Sequence, residues 1–144
     1  MPMRNICQLR GSFLPSFICG VTSANPKART RKIGIIAGVG DRRDEDIREC
    51  ATIAARMFDH IIIRQEKHLR GRTEEEIIGL IMDGINASGR NVTHEIITKE
   101  VEAIKHAINS AQEGTFITAL SDVVTNAIEI VQEYLDKENE GGHL

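Results

Sequence analysis

Two short segments of this 144-residue sequence carry residue types that could do chemistry. The first is Gly38-Val39-Gly40-Asp41-Arg42-Arg43-Asp44, a glycine-punctuated turn with adjacent arginines. The second, Arg64-Gln65-Glu66-Lys67-His68-Leu69-Arg70-Gly71-Arg72, holds Arg64, Lys67, Arg70 and Arg72 in one short run. Guanidinium groups make bidentate, orientation-specific contacts to phosphate or carboxylate. An anionic ligand is therefore the natural expectation. Neither segment is a standard phosphate loop. Arg43 stands where a GxGxxG fingerprint has its third glycine, and no GxxxxGKS or GxxxxGKT loop occurs anywhere. Asp41, Asp44, Glu45 and Asp46 would repel a bare phosphate unless the arginines or a metal ion offset them. A purely structural use stays open: Gly38 and Gly40 shaping a tight turn, Asp41 capping a helix, and the second segment forming a solvated charged loop.

Other chemistries find less support. Cys7, Cys19 and Cys50 are odd in number and form no CxxC pair, so neither a disulfide framework nor a zinc site is expected. A reducing compartment, the cytoplasm, follows as the expected location. The five histidines show no HxxxH or HExxH spacing, so no metal ligand is assigned. Aromatics make up only 3% of the chain and the net charge is −3, which argues against a nucleic-acid partner. No stretch approaches the ~18 consecutive apolar residues of a membrane span, and no membrane partner is expected.

The elements that must position the two segments can be read from periodicity. Lys32 to Gly38 is an apolar run ending in glycine, the pattern of a buried strand. Asp44 to Phe58 has helical spacing through Ile47, Cys50/Ala51, Ala54 and Met57/Phe58, with three acids in its first turn. His60 to Arg64 is a second buried strand. Thr73 and Glu76 make a capping box before a helix running to about Asn86. A weaker strand at Val92–Ile97, a helix over Glu100–Ala111, a strand at Thr115–Leu120 and a helix from near Asp122 to Leu135 complete the order. Alternation of this kind predicts an α/β fold, a Rossmann-like and mostly parallel sheet of about four strands covered by helices. In such sheets ligands bind beyond the carboxyl ends of the strands, where both arginine segments begin.

The charge is unevenly divided. Residues 1–40 hold six basic groups and no acid, while residues 41–144 hold the other 12 basic groups and all 21 acids. Residues 1–31 are accordingly read as an atypical, poorly ordered leader, with some look of a targeting segment. The domain proper is 32–136, and 137–144 is a frayed tail.

Three strings together resemble one family: GVGDRRDEDIRE from Gly38, FDHIIIR from Phe58 and LRGR from Leu69. They are similar to the C-terminal domain of the Mur ligase family, most closely its cyanophycin synthetase branch, over roughly Lys32 to Leu135. The resemblance implies part of an ATP-dependent acid–amino acid ligase, using ATP and magnesium in its complete form. In that family a carboxylate is phosphorylated and an amine attacks the acyl phosphate. It further implies that Gly38, Gly40, Asp41, Arg42 and Arg43 border the nucleotide. Arg64, Arg70, Gly71 and Arg72 would then lie where a substrate carboxylate is held. No catalytic residue is assigned.

Two departures from the family pattern matter. The phosphate-binding GKT or GKS loop of the central domain is absent from this sequence. The D-Y-x-H-N-P motif of the family's first strand is echoed only by Ala24-Asn25-Pro26. The expectation is a detached or truncated ligase domain, inactive alone and binding no cofactor tightly. Its partners would be a central ATP-binding ligase domain or further copies of itself, since loss of the first strand would expose a sheet edge. The alternative is a non-catalytic anion- or nucleotide-binding module that takes anionic small molecules or Asp/Arg peptides.

Overall fold

The computed structural model describes residues 5–9, 17–22, 31–38, 40–65, 69–121 and 124–141. Its elements follow the chain as β1 (Asn5–Leu9), β2 (Phe17–Thr22), β3 (Lys32–Ile36), α1 (Asp44–Met57), β4 (His60–Ile63), α2 (Glu74–Ala87), β5 (Thr93–Ile96), α3 (Glu100–Ser110), β6 (Phe116–Ser121) and α4 (Val124–Gly141). One sheet is formed in the order β1-β2-β6-β3-β4-β5. The four strands β6, β3, β4 and β5 are mutually parallel, which is the α/β, Rossmann-like arrangement expected from the alternating pattern.

The sheet is covered on both faces because successive residues of its central strands, Ile35–Ile36 on β3 and Ile61–Ile63 on β4, are apolar and buried. On β4, Ile61 and Ile63 enter a core with Ile47, Ala51 and Ala55 of α1 and Ile77, Ile81 and Ile85 of α2. Ile62 points the other way, joining Ile33, Ile35, Ile117 and Ala119 under α3 and α4. This is the period-two alternation of a strand buried on both faces. Burial of each such isoleucine contributes about 1.5–3 kcal/mol.

Close packing depends on small residues. A Cβ on Gly84 of α2 would lie 2.2 Å from the Arg48 carbonyl oxygen of α1 and 2.7 Å from Ala51 Cβ. Thr52 fastens the same crossing, its hydroxyl donating to the Arg48 carbonyl at 2.9 Å or the Gly84 carbonyl at 2.8 Å. The Thr73–Glu76 capping box is formed: Glu76 N–H donates to Thr73 Oγ1 at 3.2 Å and Thr73 N–H to Glu76 Oε2 at 2.9 Å.

One local reading changes, and the structure adds detail at three other places. Asp41 does not cap α1; Arg43 occupies that position and makes no side-chain cap bond. Cys50 is exposed and Met57 is 57% exposed, while their neighbours Ala51 and Phe58 face the core. Where a frayed tail was expected from Lys137, α4 continues to Gly141, helped by a Gln132–Asp136 hydrogen bond of 2.8 Å and by Lys137 over the Tyr134 ring. Finally, within residues 1–31 the strands β1 and β2 pair antiparallel, and β2 lies along the free edge of β6. Periodicity left these strands unmarked because Pro15 and Gly20 interrupt the apolar pattern. Ala24-Asn25-Pro26 lies outside the described residues.

Candidate functional site

The parallel pairing of β3 with β4 carries both arginine segments to the same edge of the sheet. β6 lies on the opposite side of β3 from β4. The chain therefore leaves β3 in one direction along the sheet and returns through β6 in the other. The carboxyl end of β3 is such a topological switch point, the usual place for a ligand crevice.

The turn after β3 is held from within. Gln65, 1% exposed, accepts from the Gly38 N–H through Oε1 at 2.9 Å and donates from Nε2 to the Gly38 carbonyl at 2.9 Å. A Cβ on Gly38 would meet Ile77 Cγ2 at 2.4 Å, so only glycine fits between this amide and α2. Gly40 is buried, whereas Asp41 and Arg42 are exposed. Val39, Glu66, Lys67 and His68 lie outside the described residues.

At the start of α1, Arg43 Nε and Nη2 grip the two oxygens of Asp46 at 3.0 and 2.9 Å. That hydrogen-bonded ion pair holds the Asp46 carboxyl below its usual range and raises the Arg43 guanidinium. Arg72 reaches across from the second segment: Nη1 meets Asp44 Oδ1 at 2.5 Å and Nη2 donates to the Arg42 carbonyl at 3.2 Å. The two segments are thus joined through Arg72. Its reach depends on a tight turn, closed by Arg72 N–H to the Leu69 carbonyl at 3.0 Å. Arg70 (φ 51°) and Gly71 (φ 86°) both take positive φ, the geometry of a type I′ turn. For Gly71 this is free of steric cost; for Arg70 it is an uncommon state, and it leaves the guanidinium exposed.

Arg64 is placed differently. It is buried, donates from Nη2 to the Leu120 carbonyl of β6 at 2.6 Å, and lies 3.6 Å from Glu100 Oε2 at the start of α3. Ser121 Oγ bonds the other oxygen of the same carboxylate. Arg64 therefore spans from β4 to β6 beside the end of β3 and already carries a carboxylate partner. Among the described residues, Arg42 and Arg70 are the arginines of the two segments whose guanidinium groups make no ion pair or hydrogen bond.

Gln65, Glu100 and Ser121 were passed over in the sequence. The usable signal for Gln65 was a lone amide directly after an unbroken apolar strand, a place where a buried polar group needs internal partners. For Glu100 it was an acid in a helix first turn. Nothing local marked Ser121.

These residues can meet one anionic side of a ligand such as a polyphosphate or carboxylate. They do not form a backbone phosphate cradle at Gly38. The Gly38 N–H is committed to Gln65, and among the described residues no group of three His, Cys, Asp or Glu side chains could hold a metal ion. No helix among the described residues is long and apolar enough to cross a membrane.

No protein-family profile matches the chain. Among curated proteins it is similar to the cyanophycin synthetase of Geminocystis herdmanii, 37% identical over 103 residues that make up 72% of this chain and 12% of the relative. The cyanophycin synthetase of Crocosphaera subtropica is 36% identical over 101 residues, 70% of this chain and 12% of the relative. That of Synechocystis sp. is 33% identical over 102 residues, 71% and 12% respectively. The chain thus spans about 12% of the length of these curated relatives. It contains a region related to a small part of cyanophycin synthetase.

Proposed function

We propose that this chain supplies a Mur ligase-type C-terminal domain to a cyanophycin synthetase-like, ATP-dependent amide ligase. The observation that carries this reading is the sequence relationship to cyanophycin synthetases over some 71% of the chain. The meeting of the GVGDRR and LRGR segments at one sheet edge supports it, because it makes a single cationic border from both.

Bound ATP would supply the phosphoryl group that activates a carboxylate for attack by an amine. The part assigned to this chain is binding and orientation: Arg42 and Arg70 would meet anionic groups of nucleotide or substrate, with Arg72 and Gln65 holding the backbone that presents them. Magnesium, when bound, would be held chiefly by the nucleotide phosphates and water, and no residue of this chain is assigned to it.

The test is ATP hydrolysis and amide formation with aspartate, arginine and an arginyl-polyaspartate primer. The 144-residue chain alone should show neither activity; co-expression with a central domain bearing a GKT-type loop should restore both. Turnover by the pure chain would refute the assigned role. Failure of the two parts to associate would remove a central ligase domain as the partner. A second reading, a non-catalytic anion-binding module, is favoured by the two free arginines. It predicts heat on titration with nucleotide or with Asp/Arg peptides whether or not a ligase partner exists.

A further inference from the structure

We infer that Gln65 is a positioning residue of the candidate anion site, acting as an amide clamp that sets the backbone at Gly38, ahead of the Gly40–Arg43 turn. This rests on the proposal that the turn faces an anionic ligand. Three observations, two on Gln65 and one on Ile77, carry it. The Gln65 carboxamide satisfies both the N–H and the carbonyl of one residue, Gly38, at 2.9 Å each. The clamp is buried, so water cannot replace it when it is lost. The other side of Gly38 is closed by Ile77, so the turn is held between a polar grip and an apolar wall.

The clamp is itself anchored. Gln65 N–H donates to the Thr98 carbonyl at 3.2 Å, and the preceding Arg64 N–H to the Ile36 carbonyl at 2.9 Å. One residue thereby ties the ends of β3 and β4 to the loop before α3. Gly40, Asp41 and Arg42 lie two to four residues beyond Gly38, and the Arg42 carbonyl is caught by Arg72. The direction in which Arg42 is presented thus depends on two fixed points, Gln65 at Gly38 and Arg72 at Arg42.

The chemistry demands an amide. It must offer one acceptor and one donor side by side, and a carboxylate offers acceptors alone. In Gln65→Glu the second oxygen would confront the Gly38 carbonyl unless it carried a proton. The clamp should therefore become pH-dependent in that variant, whereas Gln65→Met, similar in size without either group, should lack it at every pH.

Two measurements test this. The first is calorimetric titration of the full chain with inorganic tripolyphosphate at pH 7.5 and 5. Gln65→Glu should lose affinity about tenfold relative to wild type at pH 7.5 and recover most of it at pH 5, while Gln65→Met should lose it at both. Equal affinity of wild type and both variants at pH 7.5 would overturn the inference. The second is hydrogen exchange of the Gly38 amide, which needs no ligand. It should be slow in wild type and at least tenfold faster in Gln65→Met, and unchanged exchange would overturn the clamp. Should Gln65→Glu fail to fold at pH 7.5, Gln65→Met decides both measurements. If wild type itself binds no tripolyphosphate, the anion-facing role and the positioning role both fall, whereas a clamp without a positioning role would show only in the exchange.

Discussion

The arginines of the two segments are alike in sequence and unlike in use. Arg64 and Arg72 spend their hydrogen bonds on protein: one on Glu100 and Leu120, the other on Asp44 and Arg42. Arg42 and Arg70 are exposed. Removing one partner from a buried pair leaves an uncompensated charge, so Arg64→Ala should destabilise the fold by about 3–5 kcal/mol in urea denaturation. Arg42→Ala, and Arg70→Asn with a residue that tolerates positive φ, should stay within about 0.5 kcal/mol of wild type. Both should nonetheless weaken ATP binding in the same titration that detects it for the wild type. If Arg64→Ala proved neutral, the internal pairing would be contributing nothing to the sheet edge.

At the scale of elements, α1 and α2 form one layer because glycine lets their backbones approach. Gly84 and Gly79 sit in the same helix with opposite surroundings: a Cβ at Gly84 meets backbone at 2.2 Å, and one at Gly79 meets nothing within 4 Å. Gly84→Ala should therefore cost about 1–3 kcal/mol through overpacking. Gly79→Ala should stabilise by up to about 1 kcal/mol through helix propensity. Thermal or urea melts of the two variants, side by side, check both signs. The capping box of α2 predicts a loss of about 1 kcal/mol for Thr73→Ala. The α2 start and the two parallel strands were legible in the sequence, since a capping box and an unbroken apolar run are local patterns. Which of Cys50/Ala51 and Met57/Phe58 faced inward was not, because adjacent helix positions both border the apolar stripe until a neighbouring helix chooses between them.

For the molecule as a whole, the sheet joins pieces of contrasting composition. The hairpin β1–β2 comes from the acid-free N-terminal part, yet it pairs with β6, which belongs to the acidic remainder. Far from the arginine edge, His60 at the start of β4 is buried, with Nδ1 2.7 Å from Thr93 Oγ1 and Nε2 3.7 Å from Glu95. Burial pushes its imidazole below the usual histidine value; Glu95 opposes that shift, while Arg31, His106 and His94 add to it. The unfolded chain therefore takes up this proton at a higher pH than the folded one. The His60 contribution to stability is whole above about pH 6.5 and declines as the pH falls toward the lowered folded value. Urea midpoints between pH 7.5 and 5 should fall for wild type and fall less for His60→Gln. An equal slope would exclude His60 as the source.

Local order was determined by the sequence alone. Strand runs, helix periods and the arginine-bearing segments are encoded in neighbours along the chain, and a parallel sheet follows from their alternation. Tertiary structure decided which of those arginines are spent on internal partners. A guanidinium pairs with whatever carboxylate or carbonyl the fold brings near, and Glu100 and Leu120 lie 36 and 56 residues from Arg64 along the chain. The clamp on Gly38 was hidden for the same reason: it joins residues 27 apart, through an amide whose role depends on being buried.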